Sequence, residues 1–172
     1  MNTPVSLVDA AAARLQAARA AAARVADPEI PVLTIEDLGV LREVDVDESG
    51  RVTVSIIPTY SGCPAMAAIA LGIETELAEA GFEDVRVRLT NAPAWTTELM
   101  SEAAREKLRA YGISPPERRS GKRALFAPSA DVLCPRCGSS DTERVSEFGS
   151  TACKALWRCR ACREPFEHFK CV

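Results

Sequence analysis

Two Cys-x₂-Cys pairs near the C-terminus constrain this chain more than any other feature. Cys134-Pro135-Arg136-Cys137-Gly138 and Cys159-Arg160-Ala161-Cys162 are separated by 21 residues inside a segment, 131–172, that is only about 40 residues long. A segment of that size rarely encloses enough apolar surface to offset its chain entropy, so it folds with metal, disulfides or a partner. Four thiolates suit the tetrahedral preference and borderline softness of Zn²⁺, and paired knuckles bring them together from distant chain positions. The spacing predicts a zinc ribbon with Cys134, Cys137, Cys159 and Cys162 as metal ligands and strands over 143–148 and 155–158. Softness alone does not separate zinc from iron, which similar thiolate sets also bind. Cys153 and Cys171 exceed a four-ligand site. They are small buried thiols or a second, labile metal or cluster site, and burial is the commoner fate of free cysteine. His168, the only histidine, either replaces a cysteine ligand or simply packs.

Seven cysteines call for metal or thiol chemistry only where disulfides are disfavoured, and the rest of the chain indicates such a place. No apolar run reaches the ~18 residues of a membrane span. The Ala-rich N-terminal stretch carries Asp9, Arg14, Arg19 and Arg24, which is not the pattern of a signal peptide, so a cytoplasmic location is expected. A net charge of −3 and 5% aromatic residues give no electrostatic or stacking case for nucleic acid.

A linker over 114–130, with Ser114-Pro115-Pro116 and four basic residues between Arg118 and Arg123, divides the chain. Ahead of it, helix and strand alternate. An Ala-rich helix is expected over 10–26, with Leu15, Ala18, Ala22 and Val25 on one face, its residues 1–24 standing apart from a domain at 25–113. Strands follow at 40–46 and 51–57, joined by the Asp47-Glu48-Ser49-Gly50 turn. A helix over 64–80 carries Met66, Ile69, Ala70, Ile73 and Leu77 at helical spacing and stops at Gly81. A strand at 85–89 and a helix over 97–111, with Met100, Ala104, Leu108 and Tyr111 buried, complete the order. The reading is α+β: a small αββαβα sandwich on a short mixed sheet, followed by the ribbon.

Cys63 is the second chemical feature. Pro64 fits a first helical position, which puts Cys63 at or beside the N-cap, where unpaired amides favour a thiolate. A cysteine that merely fills space fits equally well. No histidine lies near it to act as a base, which argues against a papain-like enzyme but not against metal or sulfur handling. Asp27 and Glu29, bracketed by prolines, read as capping and turn residues, or as neighbours of this thiol.

Asp27-Pro28-Glu29-Ile30-Pro31, Asp37-Leu38-Gly39 and Pro58-Thr59-Tyr60-Ser61-Gly62-Cys63-Pro64-Ala65-Met66 together resemble the metal–sulfur cluster biosynthesis family, which includes bacterial SufT and the eukaryotic cytosolic iron–sulfur targeting factor. Pro93-Ala94-Trp95-Thr96-Thr97, the double knuckle, the run from Phe148 to Ala155 and Phe169-Lys170-Cys171 are similar to its PaaD subgroup, the D components encoded with phenylacetyl-CoA epoxidase in aerobic phenylacetate degradation. The resemblance implies an accessory protein without turnover of its own. Its expected task is assembly or delivery of iron–sulfur clusters to the epoxidase's reductase component, with cluster scaffold proteins as further partners. In this reading Cys63 is the reactive thiol, and Asp27, Glu29 and Thr59 match the family's other polar positions. The cargo is a transient cluster or iron, and the four-cysteine zinc is structural.

Two competing functions remain open on the residues. One is a zinc-ribbon interaction subunit of the oxygenase complex with Cys63 inert. The other is a thiol oxidoreductase that pairs Cys63 with Cys153 or Cys171.

Overall fold

A computed structural model of the chain describes residues 7–116 and 132–170. Most of the expected linker, and Cys171, lie outside them. The fold divides into two compact units, one comprising the chain to Pro58 with Gly62–Ala94, the other Thr59–Ser61 with the chain from Trp95 onward.

The first unit contains α1 (Leu7–Ala23), β1 (Leu41–Val46), β2 (Val52–Ile56), α2 (Ala65–Glu79) and β3 (Val85–Leu89). The strands form a mixed sheet in the order β1-β2-β3, with β1 antiparallel and β3 parallel to the central β2. The β1–β2 turn is tight because Asp47 Oδ1 accepts from the Ser49 and Arg51 amides, while Gly50 takes φ +87°. Alternation in β2 sends Val52, Val54 and Ile56 to one face, where all three are buried. Ile69, Ile73 and Leu77 of α2 are buried as the sequence periodicity requires, each such side chain contributing about 1.5–3 kcal/mol. Val25, just beyond α1, approaches α2 so closely that a Cβ at Gly72 would lie 3.0 Å from its Cγ1.

Helix α1 differs from expectation in two respects: it spans Leu7–Ala23 rather than 10–26, which leaves Val25 beyond it, and its apolar face is only partly covered. Leu15 is 38% exposed, because only the C-terminal half of the helix packs, through Ala18, Ala21 and Ala22. These small side chains let the helix backbone lie close to its neighbours.

The second unit contains a 3₁₀ turn (Thr97–Leu99), α3 (Glu102–Tyr111), β4 (Ile113–Ser114), β5 (Thr142–Ser146), β6 (Lys154–Cys159) and β7 (Pro165–Phe169). The expected single helix over 97–111 is interrupted because Ser101 acts as an N-cap, its hydroxyl accepting from the Ala104 amide at 3.0 Å. Tyr111 is 55% exposed rather than buried: it is the last helical residue, and Gly112 at φ +89° turns the chain away immediately after it. Met100, Ala104 and Leu108 are buried as expected.

The ribbon is larger than the two strands read from sequence. Its sheet has the order β4-β7-β6-β5, with β4 parallel to β7 and the other neighbours antiparallel. Ser114, expected to begin the linker, pairs instead with His168 and is buried. The strand it joins is 54 residues away, so no local signal marks it. Trp95 and Phe169 meet edge to face at 5.9 Å, and the guanidinium of buried Arg105 donates to the Thr97 and Pro116 carbonyls.

Candidate functional site

Cys63 lies at the carboxyl end of β2 in a strand–helix–parallel strand unit, β2-α2-β3. In such units the loops at the carboxyl ends of the strands, beside the following helix N-terminus, are where ligands are held. Gly62 at φ +82° makes the turn, Pro64 is itself the helix cap, and Cys63 precedes it by one residue. The Cys63 carbonyl accepts the Met66 amide at 3.4 Å, while its thiol is half-buried.

The same end of the sheet receives the Asp27–Pro31 turn. Because β1 runs antiparallel to β2, the chain entering β1 lies beside the chain leaving β2, and the Ile57 amide donates to the Val40 carbonyl at 2.9 Å. The Val40 amide in turn donates to the Ile35 carbonyl, and the Asp27 amide to the Leu33 carbonyl, so the whole 26–40 segment folds back onto this edge. Asp27 is buried and its Oδ1 accepts the Glu29 and Ile30 amides at 2.9 and 2.8 Å. That is a structural role: it closes the turn that presents half-buried Glu29. Thr59 belongs to the second unit.

The four predicted ligands of the ribbon converge. The sulfurs of Cys134, Cys137, Cys159 and Cys162 all lie within 4.8 Å of one another, with Cys134–Cys162 at 3.7 Å and Cys137–Cys159 at 3.6 Å. A tetrahedron built on Zn–S bonds of about 2.3 Å has edges of about 3.8 Å, so the donor set fits one tetrahedral ion. Electrostatics agree. The Cys162 amide pointing at the Cys159 sulfur, 3.5 Å away, draws that thiol down to about 7. Cys137 is pushed up to about 12: a backbone hydrogen bond from Ser139 lowers it, but the Cys162, Cys159 and Cys134 sulfurs and desolvation together outweigh that. At this spacing the four sulfurs can all be deprotonated only with a cation between them. Beneath the knuckles, Cys134, Cys159 and Phe166 form a small core with Val132 and Trp157 packed on it.

His168 is not among these ligands. Its Nδ1 lies 3.1 Å from the Ser114 carbonyl oxygen and its ring meets Trp157 edge to face. Cys153 is buried with its sulfur 3.1 Å from the Thr151 hydroxyl. One backbone feature was not anticipated: Arg163, directly after the second knuckle, has φ +64°. Gly138 holds the same position in the first knuckle, and that equivalence was available in the sequence.

Comparison with known proteins places both halves. Residues 15–89 match the family model described as iron–sulfur cluster assembly protein, and residues 118–170 match the PaaD zinc beta ribbon domain. A protein of Escherichia coli (strain K12), provisionally named as the D component of 1,2-phenylacetyl-CoA epoxidase, is 52% identical over 149 residues, which are 87% of this chain and 88% of that one. An Fe-S protein maturation auxiliary factor of Porphyromonas gingivalis is 39% identical over 79 residues, 45% of this chain and 74% of its own. A crystal structure of a domain of unknown function, DUF59, from Bacillus anthracis superposes with a TM-score of 0.55 at 25% identity, over 59% of this chain and 96% of that one. No helix among the described residues is long and apolar enough to cross a membrane.

Proposed function

We propose a role in iron–sulfur protein maturation from one premise: the chain belongs to the family of the E. coli epoxidase D component, an iron–sulfur cluster assembly domain followed by a PaaD zinc beta ribbon. The observation that carries the proposal is the placement of Cys63, a half-buried thiol in the loop between the carboxyl end of β2 and the N-terminus of α2. A soft thiolate at such a loop takes iron or a cluster as cargo and releases it to a receiving thiolate without a general base. The only histidine is engaged by Ser114, so acid–base turnover at Cys63 is not part of the scheme. Glu29, held by the Asp27 turn at the same sheet edge, supplies a polar group for the transfer step. The protein works in the cytoplasm.

In the ribbon, Cys134, Cys137, Cys159 and Cys162 hold zinc as a structural ion, which neutralises four thiolates and fixes the two knuckles. The client is the iron–sulfur reductase component of phenylacetyl-CoA epoxidase, and cluster scaffold proteins are the source.

The decisive measurement is cluster occupancy of that reductase, co-expressed with wild-type protein or with Cys63→Ser. Reduced occupancy at equal abundance of the two proteins supports the transfer role; equal occupancy removes it. A second reading would then stand, a ribbon interaction subunit of the oxygenase complex. It draws support from Leu133, Val145 and Phe148, large apolar side chains exposed in the second unit.

A further inference from the structure

The outer face of the three-stranded sheet, opposite the core, carries a charge pattern that the proposed transfer chemistry does not use. Along β1 the outward residues are Glu43 and Asp45, and along β3 they are Arg86 and Arg88. Thr53 and Ser55 of β2 lie between them. These residues, with Asp47 and Arg51, line an open depression of about 360 Å³. The register sets them in two rows, Asp45–Thr53–Arg86 and Glu43–Ser55–Arg88. Each row therefore runs from a carboxylate through a small hydroxyl to a guanidinium, spanning two strand spacings or about 10 Å.

The two columns do not meet across that span. Glu43, Asp45, Arg86 and Arg88 are all exposed, and none makes an ion pair among the described residues. Their neighbours behave differently: Arg51 pairs with Asp84 at 2.9 Å, and Asp47 is occupied by its own turn. Four unpaired charges are sorted by sign into two columns across a shallow floor.

We propose that this face binds a second copy of the chain, sheet against sheet, about a two-fold axis parallel to β2. The complementarity follows from the rows. A rotation by 180° about that axis exchanges the β1 and β3 sides while keeping each row at its own level. Asp45 then faces Arg86 of the second copy and Glu43 faces Arg88, and the reciprocal pairs form as well, giving four ion pairs. The next row, Asp47–Arg51–Asp84, meets its copy like on like at the rim, where the Arg51–Asp84 pair and the Asp47 turn already satisfy its charges. An axis across the strands would instead set acid against acid. Thr53 and Ser55 are short enough to let the two faces approach to about the 10 Å of stacked sheets. An interface held by exposed ion pairs is weak and salt-sensitive. It is also isologous, so it closes at two copies. Because the axis is parallel to β2, both Cys63 loops emerge at the same end of the pair.

The test uses the full-length, metal-loaded protein in sedimentation equilibrium at about 20 and 500 mM salt. Wild type should dimerise at low salt and dissociate at high salt. The all-acidic variant, Arg86→Glu with Arg88→Glu, and the all-basic variant, Glu43→Arg with Asp45→Arg, should each be monomeric, with dimerisation weakened at least tenfold. An equimolar mixture of the two should form a heterodimer as tight as the wild-type pair. Should either reversal variant fail to fold by circular dichroism, the milder Arg86→Gln with Arg88→Gln replaces it and should show the same loss. A wild-type protein that is monomeric at low salt overturns the proposal, as does a dimer that both variants retain or a mixture that does not associate.

Discussion

Gly138 and Arg163 stand at the same corner of the two cysteine knuckles, each directly after the second cysteine, with φ of +73° and +64°. The first is a residue for which that conformation is free of steric cost. The second holds a Cβ in the left-handed region, at a cost of about 1–2 kcal/mol. The two-knuckle fold therefore carries strain at one corner only.

Arg163→Gly should stabilise the metal-loaded ribbon. The gain in the folded state is partly offset by the greater freedom of glycine when unfolded, leaving about 0.5–1 kcal/mol. Gly138→Ala should destabilise by a similar amount. Thermal unfolding followed at the ribbon's Trp157 reads both, and a lower midpoint for Arg163→Gly would refute the account.

Cys134→Ala should lose the stoichiometric metal and unfold the ribbon, while the first unit keeps its helical signal. Structural zinc contributes on the order of 10 kcal/mol to a segment of this size, more than its small core supplies. Cys153→Ala should retain one metal per chain. Elemental analysis of the purified variants checks both, and full metal content in Cys134→Ala would contradict the assignment.

Glu167→Gln should cost about 3 kcal/mol or more. Lys154 is only 4% exposed and its ammonium lies 3.0 Å from the Glu167 carboxylate, so the substitution leaves a buried cation uncompensated. The same carboxylate accepts the Ser150 amide at 2.5 Å, and a Cβ at Gly149 would lie 2.5 Å from its Oε1 and displace it. The double variant Lys154→Met with Glu167→Gln should recover part of the loss, which a denaturant-melt cycle measures.

Acidification should loosen the ribbon through His168. Burial pushes its pKa below the usual 6.5, and the Ser114 carbonyl opposes this only in part. The folded form thus takes up a proton less readily than the unfolded one. Its contribution is complete above about pH 6.5 and is lost as pH falls through the lowered value. Thiolate protonation also acts in acid, so the comparison is with His168→Phe. That variant should show a shallower fall in thermal midpoint between about pH 7.5 and 5.5.

Much of the candidate site is legible in residue type and spacing. Two Cys-x₂-Cys pairs suffice to name a ligand set, because a tetrahedral ion selects four thiolates whatever the intervening fold. The positions of β2, α2 and β3 follow from periodicities of two and 3.6, and Gly81 ends α2 through its own backbone freedom. Tyr111 misled because the stripe it continues has the right spacing, yet the helix ends there. Leu15 misled because spacing reports a face and not how much of that face is covered.

By itself the sequence determined the α+β order, the hairpin at Asp47–Gly50, the four thiols of the ribbon and the strand-to-helix turn that carries Cys63. Each is set by local conformational preference or by the valence of a metal. The tertiary structure alone decided that Ser114 becomes a strand beside His168, that Glu167 compensates a buried Lys154, and that the Asp27 turn reaches the same sheet edge as Cys63. It also decided that Glu43 and Asp45 stand two strands from Arg86 and Arg88. These depend on strand pairing between distant segments, which is fixed only when the apolar faces on their other sides find a common core.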